Sequence, residues 1–258
     1  PSDPDHEIDS VLHGSTNPCK PMKSIPSTRS PRCVRAFLLL FGIIVATTAA
    51  RAQLVVFNFT GTSPGQNTPW TATSTLASGI TLTGWTLGSV TGSSTNNRFT
   101  ATNWSTGATF SAASTDNAYI TFSITPTGGN QLSLSGATIT YTLQNSGTGP
   151  DFYSVRSSVD SFGSDLSASS TALNTAGSTT STALTLPSSV SYTGLTGAVE
   201  FRIYGWGASS GLGTLSVNAW SMTGGVSAIP EPSTYAAIVG GLVLAGAFWQ
   251  RRRTRGIV

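Results

Sequence analysis

The central part of the sequence, residues 53 to 228, contains no cysteine, no histidine and no lysine. Both cysteines of the chain, Cys19 and Cys33, and both histidines, His6 and His13, precede it. Without thiols, this part can form no disulfide and can use no cysteine nucleophile. Without imidazole, it cannot contain a Ser-His-Asp triad, a Cys-His pair or a histidine-ligated zinc site.

Charged side chains are also scarce in this part of the chain. Its formal net charge is three minus five, or −2, from the residues Arg98, Arg156, Arg202, Asp116, Asp151, Asp160, Asp165 and Glu200. The whole chain is formally +3 because most of its basic residues lie near its two ends. This distribution predicts no binding to nucleic acid, which requires a basic surface on the folded domain.

The few carboxylates have two alternative uses. A glycosidase needs two carboxylates that flank a sugar bond, but with only five carboxylates and so few titratable groups the sequence does not favour an enzyme. Asp160 and Asp165 could ligate calcium, although the spacing of an EF-hand is absent. An ion pair between Arg156 and Asp160, or a turn capped by Asp160, is the simpler interpretation. We therefore expect no catalytic residue, no metal and no cofactor.

Alternation of apolar and polar residues is the main structural signal. Serine and threonine supply 64 of the 176 residues from 53 to 228, and no long helical periodicity occurs. Seven segments alternate with a period of two between clusters of Gly, Pro, Asn or Ser, which is typical of strands. These predicted strands are residues 54–59, 80–87, 118–124, 137–143, 151–157, 199–204 and 212–220.

Seven strands with one apolar face each must pack as two sheets. We therefore predict an all-β fold for residues 53–228, an antiparallel β-sandwich of jelly-roll-like type. A disordered Ser/Thr-rich stalk is the alternative, but regularly placed aromatic and branched apolar residues disfavour it. Residues 221–229 are expected to form a linker after the last strand.

The N-terminal region has the order of a secretory signal peptide. An apolar run from Ala36 to Ala46 follows several basic residues and precedes Ala50-Arg51-Ala52, which matches an A-x-A cleavage site. Cleavage by signal peptidase after Ala52 would leave Gln53 as the first mature residue. An uncleaved anchor is the alternative. We assign residues 22–52 to the signal peptide and expect residues 1–21 to be a disordered leader or an over-extended reading frame.

The C-terminal region, residues 229–255, has three consecutive parts. Pro230-Glu231-Pro232 is followed by an uncharged apolar run, Tyr235–Trp249, and then by a basic cluster, Arg251, Arg252, Arg253 and Arg255. The run is short for a membrane span, but Ser233 and Thr234 can extend it. The arginines would stay cytoplasmic by the positive-inside rule. A buried core helix is the alternative interpretation.

These three parts together resemble the PEP-CTERM sorting signal of Gram-negative bacterial surface proteins. The body is similar to a sandwich domain common in that family, through Gly147–Phe162 and Val199–Leu215. The resemblance implies export, transient anchoring in the inner membrane and removal of the tail by an exosortase-type membrane protease. Release or attachment at the cell surface would follow, in systems that accompany exopolysaccharide production.

Two functions remain open at this point. One is a non-catalytic structural protein of the cell surface or extracellular matrix. The other is a carbohydrate-binding module for exopolysaccharide, for which Trp206 is the candidate sugar contact. The glycines on both sides of Trp206 suggest a loop or strand end, where an exposed indole ring could stack on a sugar.

Overall fold

The computed structural model describes residues 51–61, 63–167, 171–173 and 179–254. The expected leader, nearly all of the expected signal peptide with Ala50, and Arg255 lie outside the described residues. Cleavage after Ala52 therefore stays a prediction, and so does the role of Arg255 in the basic cluster that follows the apolar run.

The described residues form thirteen strands and two α-helices. The strands are β1 (Ala52–Phe57), β2 (Thr73–Leu76), β3 (Ile80–Leu87), β4 (Thr91–Gly92), β5 (Phe99–Thr102), β6 (Tyr119–Pro126), β7 (Asn130–Ser133), β8 (Thr138–Asn145), β9 (Phe152–Ser157), β10 (Thr171–Ala172), β11 (Thr179–Thr185), β12 (Val199–Trp206) and β13 (Leu215–Ala228). The helices are α1 (Phe110–Thr115) and α2 (Pro232–Thr254), and single 3-10 turns occupy Ser158–Asp160 and Val190–Tyr192.

The strands form two antiparallel sheets. One sheet has eight strands, with β11, β8, β13, β1 and β2 in that order and with β4, β5 and β7 attached at its sides. The other has five strands in the order β10, β9, β12, β6 and β3. The first and last strands, β1 and β13, are neighbours, whereas the consecutive strands β8 and β9 lie in different sheets. The predicted antiparallel β-sandwich is confirmed.

Aromatic side chains fill the space between the two sheets. Trp85, on β3 of the five-stranded sheet, is fully buried and packs edge-on against Trp220 of β13, with ring centroids 5.4 Å apart. Phe57, Phe122 and Phe99 surround the same indole at centroid distances of 5.4, 4.7 and 5.8 Å. Burial of such large rings provides most of the favourable free energy of a fold with no disulfide in this region.

Three features differ from the sequence-based predictions. The last strand continues to Ala228, so residues 221–228 of the linker expected at 221–229 are instead part of β13, where they pair with β1 and β7. Gly224 and Gly225 obscured this continuation because glycine is unfavourable in strands. The short strands β2, β4, β5, β7, β10 and β11 and the helix α1 were not predicted. They are too short to show a periodic pattern.

Candidate functional sites in the C-terminal segment and on the five-stranded sheet

The C-terminal segment leaves the sandwich directly. Strand β13 pairs with β7 as far as Ala228, and the amide of Ile229 still donates a hydrogen bond of 2.8 Å to a carbonyl of the β6–β7 turn. Helix α2 begins at Pro232. Only Pro230 and Glu231 therefore separate the last hydrogen-bonded residue of the sandwich from the first residue of the helix.

The Pro-Glu-Pro sequence leads into helix α2, whose first residue is Pro232. A proline at the first helical position costs no hydrogen bond, because an N–H there would have no partner within the helix. The amide of Thr234 donates to the Glu231 carbonyl at 2.9 Å, and the Ser233 hydroxyl donates to the Glu231 carboxylate at 3.3 Å. Glu231 thus precedes the positive end of the helix dipole, where a negative charge is favourable. Ser233 and Thr234, which were expected to extend the apolar run, lie in the first turn of this helix.

Helix α2 has the length and composition of a membrane span. Its stretch Ser233–Arg252 comprises 20 residues, and none of the 18-residue apolar window found there is buried against the protein. Large apolar side chains such as Val243 and Phe248 are 66% and 67% exposed. This exposure contradicts the alternative of a buried core helix. Arg251, Arg252 and Arg253 lie in its last turn.

Trp206 is not an exposed platform. Only 3% of its surface is accessible, and it packs against Phe152 and Phe110 with ring centroids 6.0 Å away in each case. An indole in this position offers no free face to a sugar ring. The sequence-based assignment of Trp206 as an exposed sugar contact is therefore wrong.

Packing and backbone conformation explain why glycines stand on both sides of Trp206. A Cβ on Gly205 would lie 2.8 Å from the ring of Trp104 and 3.0 Å from Pro150, so a close approach by neighbouring side chains requires glycine. Gly207 has a positive φ of 77°, at the turn that follows β12. Tight packing and a left-handed turn, rather than exposure, explain the Gly-Trp-Gly sequence.

Around Trp206 the outward surface of the five-stranded sheet differs from the Ser/Thr-rich surface elsewhere. Two arginines lie there among aromatic rings. We call this surface the arginine face and define it by Phe110, Tyr119, Arg156, Phe162 and Arg202. The guanidinium carbon of Arg156 lies 3.5 Å from the Phe110 ring centroid. That of Arg202 lies 4.3 Å from the Tyr119 centroid and 3.8 Å from the Phe162 centroid.

Three strands, a short helix and a loop position these side chains. Strands β9 and β12 are adjacent and place Arg156 directly opposite Arg202, and β6 brings Tyr119 next to Tyr204 on β12. Helix α1 lies over the end of β12, where the rings of Phe110 and Tyr204 meet edge to face with their centroids 5.2 Å apart. The Thr109 side chain accepts a hydrogen bond from the amide of residue 112 and caps this short helix.

One carboxylate, that of Glu200, offsets part of the positive charge of the arginine face. The Glu200 carboxylate lies 2.7 Å from Nε of Arg202 and also accepts a hydrogen bond of 2.8 Å from the Thr121 hydroxyl. Burial alone would lower the pKa of Arg202, but its hydrogen bonds to Glu200 and Tyr204 outweigh that effect and raise the pKa above its ordinary value. Glu200 and Arg202 alternate along β12 with the buried residues Phe201 and Ile203, and they pair with each other on the outer face of the strand.

Arg156 has a different environment. It donates from Nη1 to the carbonyls of Phe162 and Gly163, at 2.9 and 2.8 Å, and from Nε to the Ser154 hydroxyl at 3.0 Å. The expected ion pair with Asp160 is not formed within the described part of the chain, where Arg202–Glu200 is the one salt bridge.

The aspartates near this surface cap turns. Asp160 accepts a hydrogen bond of 2.8 Å from the amide of Ser164, which agrees with the predicted turn cap. Asp165 accepts from the amide and hydroxyl of Ser167 at 3.0 and 2.6 Å. Among the described residues, no three acidic, histidine or cysteine side chains lie close enough together to hold a metal ion. This arrangement gives no support to the calcium alternative.

The arginine face was missed in the sequence although a signal was present. Alternate residues of a strand lie on the same face of the sheet. On β12 these residues are Glu200, Arg202, Tyr204 and Trp206, and on β9 they are Phe152, Ser154 and Arg156. Charged and aromatic residues at outward positions of a Ser/Thr-rich protein are unusual. The contributions of Phe110 and Phe162 could not be predicted, since they come from a short helix and a loop.

Comparison with known proteins gives only distant likenesses. No family model and no curated protein matches the chain. Among solved structures, it is similar to the K3 cleaved adhesin domain of Lys-gingipain from Porphyromonas gingivalis, at 16% identity and a TM-score of 0.35, over 68% of this chain and 100% of that one.

Two further solved structures show the range of these likenesses. The N-terminal cellulose-binding domain of β-1,4-glucanase C from Cellulomonas fimi matches at 12% identity and a TM-score of 0.32, over 57% of this chain and 90% of that one. A Stig cyclase from Fischerella sp. TAU matches at 12% identity and a TM-score of 0.31, over 65% and 98% respectively. With TM-scores this low, none of these likenesses assigns a function to the chain.

Proposed function

We propose that the chain is a non-catalytic protein of the cell surface or extracellular matrix of a Gram-negative bacterium, exported and then sorted through its C-terminal segment. Signal peptidase would remove the N-terminal segment, and α2 would hold the protein transiently in the inner membrane. An exosortase-type membrane protease would then act at Pro230-Glu231-Pro232. Release or surface attachment of the sandwich completes this sequence of events.

The observation that supports this proposal most is the continuous order of parts at the C-terminus. A folded sandwich ends at Ala228, an acidic proline-flanked turn follows, and an exposed apolar helix of membrane length ends in Arg251, Arg252 and Arg253. Exposed apolar surface of this extent is unfavourable in water, because each buried side chain of this size gains about 1.5–3 kcal/mol. A lipid bilayer is the environment that removes this cost.

The absence of catalysis is part of the proposal. Glu200 is held by Arg202 and Thr121, while Asp160 and Asp165 cap turns. Asp116 accepts a hydrogen bond from the Ser105 hydroxyl at 2.6 Å. These hydrogen bonds give each of the four carboxylates a structural role, which supports a protein without a catalytic acid–base pair.

Membrane fractionation tests the role of α2. The full chain, produced in a Gram-negative host, should stay with the membrane after an alkaline carbonate wash, whereas a chain that ends at Ala228 should be released as a soluble periplasmic protein. Leu244→Arg places a charge near the middle of the helix, at a cost of about 2.5–3.5 kcal/mol, and should weaken retention. Ser233→Arg, at the end of the helix, is the matched control and should retain the protein. Equal fractionation of the full and shortened chains would contradict the proposal.

Binding of exopolysaccharide is a second candidate function. Trp206 cannot carry it, because its ring is buried. The arginine face favours it, since that surface combines partly exposed aromatic rings with two positive charges and one negative charge.

A further inference from the structure

We propose that the arginine face binds the carboxylate groups of an acidic polysaccharide. This inference deepens the second candidate function and does not depend on sorting through the C-terminal segment. It assigns the recognition of the anionic group to Arg156 and Arg202.

The first argument is the excess positive charge. Arg156 and Arg202 lie directly opposite each other across β9 and β12, and like charges in such positions repel. Of these two arginines, only Arg202 forms a salt bridge among the described residues, with Glu200. The pair of arginines thus keeps about one uncompensated positive charge, which a bound anion would neutralise.

The second argument is that both guanidinium groups are held in place. Arg202 lies between the Tyr119 and Phe162 rings, and Arg156 lies over the Phe110 ring. The two carbonyl acceptors of Arg156 Nη1, at Phe162 and Gly163, fix that side chain further. A long side chain normally loses conformational entropy when a ligand immobilises it, and this loss weakens binding. Here most of that freedom is already lost in the free protein.

The third argument is the remaining hydrogen-bonding capacity. Arg156 donates from Nε and Nη1, and so does Arg202. Within the described residues, Nη2 of neither arginine donates a hydrogen bond, and the Arg202 side chain is still 22% exposed. Arginine donors of this kind match the planar geometry of a carboxylate.

The chemistry of the surface also selects among ligands. The faces of the Phe110 and Tyr119 rings are covered by guanidinium groups, so stacking with a neutral sugar is blocked on that side. A dense polyanion such as nucleic acid is disfavoured by the net charge of −2 on residues 53–228. A polysaccharide with a carboxylate on its sugar units presents the planar anion that the two guanidinium groups match.

Binding of the full chain, purified in non-ionic detergent, to immobilised polygalacturonate tests the proposal, with neutral dextran as the comparison surface. Arg156→Gln should weaken binding to polygalacturonate about tenfold, as expected for the loss of a charge-assisted contact. Glu200→Gln removes the competing carboxylate and should strengthen binding two- to fivefold. Arg156→Lys keeps the charge but not the planar fork, and should weaken binding less than Arg156→Gln does.

Arg98→Gln is the matched control. Arg98 directly precedes β5 of the other sheet and donates to the Gln144 side chain, so its replacement changes the net charge equally but leaves the arginine face intact. Near-UV circular dichroism should show native packing for each variant. Equal binding to dextran and polygalacturonate, an Arg98→Gln effect as large as that of Arg156→Gln, or native-like binding by Arg156→Gln would each overturn the proposal. Failure of sorting in the membrane fractionation would leave this result unchanged.

Discussion

The hydroxyl groups of Tyr141 and Tyr153 lie 3.1 Å apart in the interior of the sandwich and join its two sheets, since Tyr141 belongs to β8 and Tyr153 to β9. Both side chains are fully buried, and their rings meet edge to face with centroids 6.0 Å apart. Burial, together with the hydrogen bond and the charge of Tyr153, raises the pKa of Tyr141 far above its ordinary value. Burial likewise raises the pKa of Tyr192, whose hydroxyl contacts Ser157.

These raised pKa values predict alkaline unfolding. The folded state holds the phenol protons of Tyr141 and Tyr192 more tightly than the unfolded state, so their full contribution to stability is present below about pH 10 and is lost as pH rises above it. Between its ordinary pKa and its higher folded-state pKa, Tyr141 should lower the free energy of unfolding by roughly 1.4 kcal/mol per pH unit, and Tyr192 adds a loss in the same direction. Absorbance at 295 nm during a pH titration of residues 53–228 measures tyrosinate directly, and Tyr141→Phe should reduce the pH slope of stability by about one proton. Ionisation of every tyrosine near pH 10 in a protein that keeps native circular dichroism would contradict this.

The arrangement of β7, β1 and β13 predicts a sharp boundary for the folded domain. A chain that ends at Ala228 should retain the stability of the sandwich, because all of β13 is present. A chain that ends at Trp220 loses Met222, which is fully buried, and the pairing of β13 with β7. We expect a loss of at least about 3 kcal/mol in the shorter form, from the buried side chain and the unpaired edge. Chemical denaturation of the two forms measures the difference, and equal midpoints would show that residues 221–228 are a linker after all.

The comparison of sequence and structure shows which signals can be read in advance. Strand β3 lies where the alternation of Ile80–Leu87 predicts it, and β9 differs from its predicted range by one residue. Alternation shows that one face is buried, but it does not show what covers the other face. For that reason Phe110, from a six-residue helix, and Phe162, from a loop, could not be placed beside arginines that are distant in sequence.

Trp206 illustrates a different limit of the sequence. Its flanking glycines are compatible with an exposed loop and with a crowded core, and only the positions of Trp104 and Pro150 decide between them. The C-terminal segment was easier to predict because its features are local. The prolines restrict the backbone where they stand, and the apolar run and the arginines that follow it determine how the helix interacts with its surroundings. None of these effects needs a partner elsewhere in the chain.

The buried position of Trp206 predicts a loss of stability on substitution. Trp206→Ala should lower the free energy of unfolding by about 3–5 kcal/mol, because it leaves a cavity between Phe152 and Phe110. Leu212→Ala is the matched control, since Leu212 lies in a nearby loop, is 85% exposed and should change stability by less than about 0.5 kcal/mol. Urea denaturation followed by circular dichroism compares them. A stable Trp206→Ala variant that had lost polysaccharide binding would restore the indole as a sugar contact.

The central claim is that the C-terminal segment is a sorting signal, processed at the Pro230-Glu231-Pro232 turn. The most direct test is to follow processing of the full chain in a bacterium that has an exosortase-type protease. The turn holds Glu231 between the last hydrogen bond of the sandwich and the first turn of α2, and in the proposed membrane-anchored form this would set the distance of Glu231 from the bilayer. Replacement of all three residues by alanine should leave export intact but block processing, so that a longer species accumulates in the membrane. Thr234→Ala, within the helix, should be processed like the parent. If the triple-alanine chain is shortened and released as fast as the parent, α2 is only an anchor and the proposed sorting function is wrong.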